Sequence, residues 1–90
     1  MFTGIVQGVA QVAHIADRNG LRSLRLSFPS GFDRGLQIGA SVAVEGVCLT
    51  ATALHAHAAD FDVMQQTLSQ TTLGDLRQGS AVNVERAAKE

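Results

Sequence analysis

Apolar and polar residues alternate along most of the chain, the period of a strand with one buried face. Leu24, Leu26 and Phe28 alternate with Arg25 and Ser27. Pro29-Ser30-Gly31 ends that run, because proline has no ladder donor and glycine favours a turn. Val42 and Val44 alternate with Ala43 and Glu45. In the next run Val47, Leu49, Ala51 and Ala53 form one face, and Cys48, Thr50, Thr52 and Leu54 the other. Phe61 and Val63 alternate with Asp60, Asp62 and Met64, and Val82 and Val84 with Asn83 and Glu85.

The first segment, "FTGIVQGVAQVAHI", is rich in strand formers but keeps no single register. Ile5 and Val9 share a parity that Val12 does not. Gly8 is the expected bend that resets the faces, letting one long strand serve two parts of a wall. Asn19-Gly20 in "DRNGL" signals a tight hairpin. Helical signals are short. "SGFDRGL" at 30–36 suits a single turn capped by Ser30. "TLSQTTLGDLRQG" at 67–79 is the best helix, with Leu68, Leu73 and Leu76 facing the core and Gly74 and the threonines breaking it into turns. Gly39 and Gly79 each precede a small-residue strand and look like related punctuation. The sum is all-β, about six short strands with a few helical turns, and a closed antiparallel barrel is the arrangement that hides every edge. No linker, low-complexity tract or clear internal repeat appears.

Composition narrows the function. Ninety residues make a single domain, 1–90, with a modest core. A net charge of −1, with four Phe and no Trp or Tyr, gives no reason to expect nucleic acid or an anionic membrane as partner. A single cysteine forms no internal disulfide, no signal-peptide pattern opens the chain, and no apolar stretch is long enough to span a membrane. The expectation is a cytoplasmic protein.

Few residues carry obvious chemistry. His55-Ala56-His57 has strand spacing compatible with a metal, but no third ligand is near in sequence, and "HAHAAD" reads as an exposed hairpin tip. His14 reads as a surface residue. Cys48 as a nucleophile needs a base that no motif places, and as a metal ligand it needs partners. Spacing alone favours a small, half-buried strand residue. Thr50 shares its face and is either an ordinary strand residue or a hydroxyl offered to a ligand. Asp62, Gln65, Gln66 and Thr67 crowd the end of a strand. There Asp62 or Thr67 caps a helical turn, or the group binds a polar small molecule at a barrel mouth. No phosphate-loop, dinucleotide or nucleophile-elbow pattern is present.

Four collinear segments, "MFTGIVQG", "GASVAVEGVCLTAT", "FDVMQQTLSQTTLGDLRQG" and "VNVERAAK", resemble the riboflavin synthase and lumazine protein family over the whole chain. The resemblance implies a six-stranded Greek-key barrel, the N-terminal one of two in the family enzyme. That enzyme dismutates two molecules of 6,7-dimethyl-8-ribityllumazine to riboflavin and a pyrimidinedione, without metal or organic cofactor, at a site between unlike barrels.

Carried over by position, Gly4, Ile5 and Val6 contact the pteridine edge through their backbone, and Phe2 helps to close the site. Cys48, Leu49 and Thr50 form a wall, with Cys48 the candidate catalytic side chain. Asp62, Val63, Met64, Gln65, Gln66 and Thr67 form a polar rim for ring and ribityl chain. Two departures matter. The second barrel is absent, and Gln66 stands where the enzymes commonly carry Glu, which removes a charge and adds a donor. The expected ligand is the lumazine or riboflavin, and the expected assembly is a homodimer that mimics the paired barrels. The alternative to an enzyme half is a non-catalytic carrier, store or antenna.

Overall fold

The computed structural model describes residues 2–88, so Met1, Lys89 and Glu90 lie outside it. The described residues form six strands: β1 (Gly8–Arg18), β2 (Leu21–Ser27), β3 (Ser41–Val44), β4 (Val47–His55), β5 (Ala58–Met64) and β6 (Ala81–Arg86). They close into an antiparallel barrel in the order β1-β2-β5-β4-β3-β6. The β3-β4-β5 meander has β6 beside β3 and β2 beside β5, which is Greek-key connectivity. A short helix, α1 (Gln65–Gln70), and a 3-10 turn at Thr72–Asp75 lie between β5 and β6.

Each alternating run buries the face its pattern selects. Phe61, Leu24, Leu26, Val12, Val42, Val44, Val63, Val82 and Val84 fill the interior. β2 and β5 are antiparallel, so the chain leaves them at opposite ends of the barrel. Phe28 and Leu36 stopper one end, and Leu68 and Leu73 the other. Two of the three two-residue hairpin turns have positive φ at both central residues, Asn19-Gly20 and Glu45-Gly46, whereas in Ala56-His57 only His57 does. Positive φ at both is the twist-matched geometry which asparagine and glycine tolerate best.

Three local expectations change. The face reset in β1 is not at Gly8 but between Val12 and His14, where the register against β2 shifts. Gly8 is instead favoured by close approach, since a Cβ there would sit 3.0 Å from Pro29 Cγ. One long strand does serve two walls: β1 pairs with β6 through Gly8–Gln11 and with β2 through Gln11–Arg18. Residues 30–36 form successive turns rather than the single turn expected, with the Phe32 N–H donating to the Pro29 carbonyl, the Arg34 N–H to that of Gly31 and the Leu36 N–H to that of Asp33. Finally, α1 begins at Gln65 with Met64 in the cap position and no side-chain cap, so neither Asp62 nor Thr67 caps it. Thr71 caps the 3-10 turn, accepting from the Leu73 N–H.

The barrel also contains a repeat that the sequence hides. Gly39 and Gly79 have φ of 91° and 89°. The Gly39 N–H donates to the Ala51 carbonyl, and the Gly79 N–H to the Val12 carbonyl. Ala51 and Val12 return the bond to the carbonyls of Ala40 and Ser80. A one-residue irregularity follows each, between Val12 and His14 and between Ala51 and Ala53. The half-barrels β6·β1·β2 and β3·β4·β5 therefore follow one plan, and Gly39 and Gly79 are its matching punctuation.

Candidate functional site

The groove of interest lies on the outer face of β4 and β5. It encloses about 290 Å³ and is bordered by Val47, Cys48, Leu49, Thr50, Thr52, Asp62, Val63, Met64 and Thr67. Strand alternation turns Cys48, Thr50, Asp62 and Met64 outward into it. Leu49 and Val63 border it, but their side chains are buried in the barrel, 6% and 1% exposed.

The groove exists because β4 and β5 part. Their ladder runs from His55 opposite Ala58 to Ala51 opposite Phe61 and goes no further. β5 leaves the sheet at Met64, since α1 starts at the next residue. Backbone groups of alternate residues face opposite sides of a strand. Ala51 bonds toward β3, through Ala40 and Gly39, so the peptide groups of Cys48 and Thr50 turn toward β5. The Gln65 N–H donates to the Gly20 carbonyl of the β1–β2 turn, so those of Asp62 and Met64 turn toward β4. Thr50 and Asp62 stand at the fork. Beyond it Cys48 and Met64 have no ladder partner across the gap. A slot edged by free donors and acceptors of two strands accepts a flat molecule with a donor–acceptor edge.

The arm before β1 lies on the neighbouring outer face of β3 and β6. Gly4 and Val6 lie over Ala43, Gly46, Asn83, Val84 and Glu85 and enclose a recess of about 80 Å³. Glu85 holds this arm. Its carboxylate accepts from the Thr3 N–H, from the Thr3 hydroxyl at 2.8 Å and from the Gly4 N–H at 3.0 Å. The Thr3 N–H, then its hydroxyl and the Gly4 N–H, keep this carboxyl below the usual glutamate range against the opposing effect of burial. Ala43 pairs with Glu85 on one side and with Cys48 on the other. Arm clamp and groove wall are thus two strand steps apart on the outer face, roughly 10 Å.

The structure thus brings Cys48, Thr50, Asp62, Met64 and Thr67 into one groove, bordered also by Leu49 and Val63, and sets Gly4 and Val6 beside it. Ile5 is exposed and lines neither recess, and Phe2 is half-buried outside both. Gln65 borders a polar hollow with Arg22 and Asp75 on the far side of α1. Gln66 is exposed in the first turn of α1, its carbonyl accepting from the Ser69 hydroxyl at 2.9 Å. Sequence reasoning missed Glu85 and Ala43 as site builders. The only signal was the co-occurrence of "MFTG" and "VNVER" at the two ends of the chain.

His55 lies 3.1 Å from Asp60, which also holds Arg25 at 2.8 Å, and exposed His57 is 3.7 Å from Asp33. Among the described residues no three His, Cys, Asp or Glu side chains gather as a metal site. A larger concavity, about 700 Å³, is at the other end of the barrel, between Gln7–Val9 and Pro29–Phe32. Pro29 has no N–H, and Arg86 Nη1 is committed to the carbonyls of Phe32 and Arg34 at 2.9 and 2.6 Å.

The lumazine binding domain family matches residues 3–87. Riboflavin synthase of Escherichia coli (strain K12) is 48% identical over 89 residues, covering 99% of this chain and 42% of that enzyme. The Chlamydia pneumoniae riboflavin synthase is 44% identical over 99% of this chain and 44% of its own length. The chain therefore spans less than half the length of these relatives. Among solved structures, LumP complexed with 6,7-dimethyl-8-(1'-D-ribityl) lumazine superposes with a TM-score of 0.89 at 29% identity, covering 99% of this chain and 50% of that one. LumP complexed with flavin mononucleotide gives 0.88 at 29% identity, over 96% and 48%.

Proposed function

The chain belongs to the lumazine binding domain family, and from that premise we propose that it binds 6,7-dimethyl-8-ribityllumazine or riboflavin where β4 and β5 part. The observation that carries this reading is the interrupted β4–β5 ladder, which leaves the peptide groups of Cys48 and the Met64 N–H without a ladder partner beside Thr50 and Asp62, the Met64 carbonyl being taken by the first turn of α1. The ring edge takes the place of the missing ladder bonds. Its apolar faces meet the Met64 side chain and the Cys48 thiol, and the polyol extends along Thr67 toward Gln66. The ligands of the LumP structures support the ligand class.

The wider role is part of the same proposal. The barrel acts as the N-terminal half of a riboflavin synthase, in the cytoplasm, and pairs with a second copy. Ile5, Val6 and Met64 are 69%, 53% and 63% exposed, apolar surface that a facing barrel would cover. Two lumazines held face to face turn a bimolecular transfer of a four-carbon unit into an effectively unimolecular one. The ligand's own acidic methyl group provides the carbon nucleophile, so the chemistry needs neither metal nor organic cofactor, and Cys48 serves as a wall. A second reading, a carrier or antenna that binds without turnover, is favoured by one observation: Gln66 has no charge to move a proton.

Fluorescence titration with the lumazine and with riboflavin tests binding, and a melting-temperature rise at saturating ligand checks it by mass action. Absence of both effects overturns the proposal. Riboflavin absorbance after incubation with the lumazine separates the two readings: product above the uncatalysed rate supports the enzyme half, and tight binding without product supports the carrier.

A further inference from the structure

We propose that Glu85 is a positioning residue for the ligand groove, locking the N-terminal arm against the outer face of β3 so that Gly4 and Val6 cover Ala43, the strand neighbour of Cys48. The inference rests on the groove being the ligand site, as proposed above.

Glu85 is 6% exposed, the one charged residue among the buried described positions. A buried carboxylate needs partners, and every partner of this side chain among the described residues belongs to the arm: Thr3 twice and Gly4 once. The barrel does not use the side chain, because β6 is joined to β1 and β3 through backbone pairing. The arm depends on it. Its other ties among the described residues are at Gln7, whose N–H donates to the Val84 carbonyl and whose side-chain Oε1 accepts from the Arg86 N–H at 2.8 Å. Between Thr3 and Val6 the sole remaining bond among the described residues is internal, from the Ile5 N–H to the Thr3 hydroxyl. With the clamp removed, the segment carrying Gly4 and Val6 is tethered at one end only. Position matters because Ala43 stands between Glu85 and Cys48 in the same outer row. A displaced arm uncovers Ala43, the strand neighbour of Cys48, and removes the surface that a ligand reaching past Cys48 would meet.

The test uses the full chain as Glu85→Ala, Glu85→Gln and wild type. Amide hydrogen exchange at Thr3 and Gly4 reads the arm, circular dichroism reads the barrel, and lumazine titration reads the groove. Glu85→Ala should keep the β-barrel spectrum, exchange both amides faster by at least ~10-fold, and bind lumazine about tenfold more weakly, the scale of lost hydrogen bonds to a charged group. Glu85→Gln retains an acceptor oxygen and should recover part of both effects. Unchanged exchange at Thr3 and Gly4 in Glu85→Ala overturns the clamp whether or not lumazine binds. Faster exchange with unchanged lumazine affinity overturns the link to the groove. If wild type fails to bind lumazine while the exchange effect is present, the clamp stands as arm chemistry and the ligand reading of the preceding subsection falls.

Discussion

In the first half-barrel β1 and β2 stay paired for two residues past their irregularity, to Gln11 opposite Ser27. In the second, β4 and β5 stop after one, at Ala51 opposite Phe61. Beyond those points both pairs part and both leave a concavity, about 700 Å³ in the first half and 290 Å³ in the second. The linings of the two concavities differ. In the first half Pro29 closes on Gly8, and Arg86 stitches the loop carbonyls of Phe32 and Arg34. In the second, α1 carries the chain away, and a thiol, a threonine, an aspartate and a methionine face the gap. One backbone plan thus yields a sealed fork and an open one. The groove proposed for the ligand is the smaller of the two, while in the larger Arg86 Nη1 and Gln7 Oε1 are tied to the protein's own backbone.

The sharpest way to break the comparison is to fill the open fork. Thr50→Trp places an indole on the outer face, where the side chain has no core to disrupt. Its melting temperature without ligand should stay near that of wild type, with a stability change within about 0.5 kcal/mol for an exposed position. Lumazine affinity should fall by at least ~100-fold, a loss of roughly 2.7 kcal/mol. Wild-type affinity in a fluorescence titration would remove the ligand from this groove.

The converse change disturbs the sealed fork. Gly8→Ala introduces a Cβ at 3.0 Å from Pro29 Cγ, so the proline ring must shift by a few tenths of an ångström. Overpacking of this kind costs about 1–3 kcal/mol. Denaturant unfolding should show that loss, while lumazine affinity of the folded protein stays the same. A variant that loses affinity and keeps its stability would reverse the roles assigned to the two forks.

These two forks mark where the sequence stops being legible. Strand alternation found every strand, because a buried face is written in each run from Leu24 to Val84. Asn19-Gly20 announced its turn, because two positive φ values restrict the residues allowed. The β1 irregularity was misplaced at Gly8, because a face reset of this kind makes no demand on residue type, whereas Gly8 answers to Pro29, a contact from another element. The two-fold plan escaped notice because β1 has 11 residues and β4 has 9, so no constant period links the halves. The parting of β4 and β5 is equally silent: Asp62 and Met64 alternate with Val63 just as they would in a paired strand. Of the site, the resemblance supplied the positions. It did not supply Glu85, whose partners lie at the other end of the chain.

Within the second half the paired end of β4–β5 offers a smaller contrast. There Asp60 holds Arg25 at 2.8 Å and His55 at 3.1 Å, and its backbone carbonyl accepts from the Thr52 hydroxyl at 3.2 Å. The Arg25 guanidinium, then His55, keep the Asp60 carboxyl below the usual aspartate range despite partial burial. A carboxyl lowered on folding adds stability above its unfolded value, near pH 4, and that stability is lost as pH falls through the folded value. Arg25 is well exposed, so the whole contribution is at most about 1 kcal/mol. Melting temperature should drop between pH 5 and pH 2–3, and Asp60→Asn should flatten part of that drop. An unchanged acid limb in Asp60→Asn would show that the paired end is held by its ladder alone.

The smallest expected effect bears on Cys48. Its thiol is exposed in the open fork, and among the described residues no histidine or carboxylate is bonded to it as a base. A nucleophile without such a base is weak. In the proposed reaction the ligand's methyl group supplies the carbon nucleophile, which leaves the thiol only its shape and polarizability to contribute. Cys48→Ser keeps the volume close and the peptide groups in place. Lumazine affinity should change by no more than about threefold, under roughly 0.7 kcal/mol, and any turnover the wild type shows should persist. Loss of turnover with binding intact would restore the thiol as a reacting group, and the open fork would then owe its chemistry to a side chain rather than to an unfinished ladder.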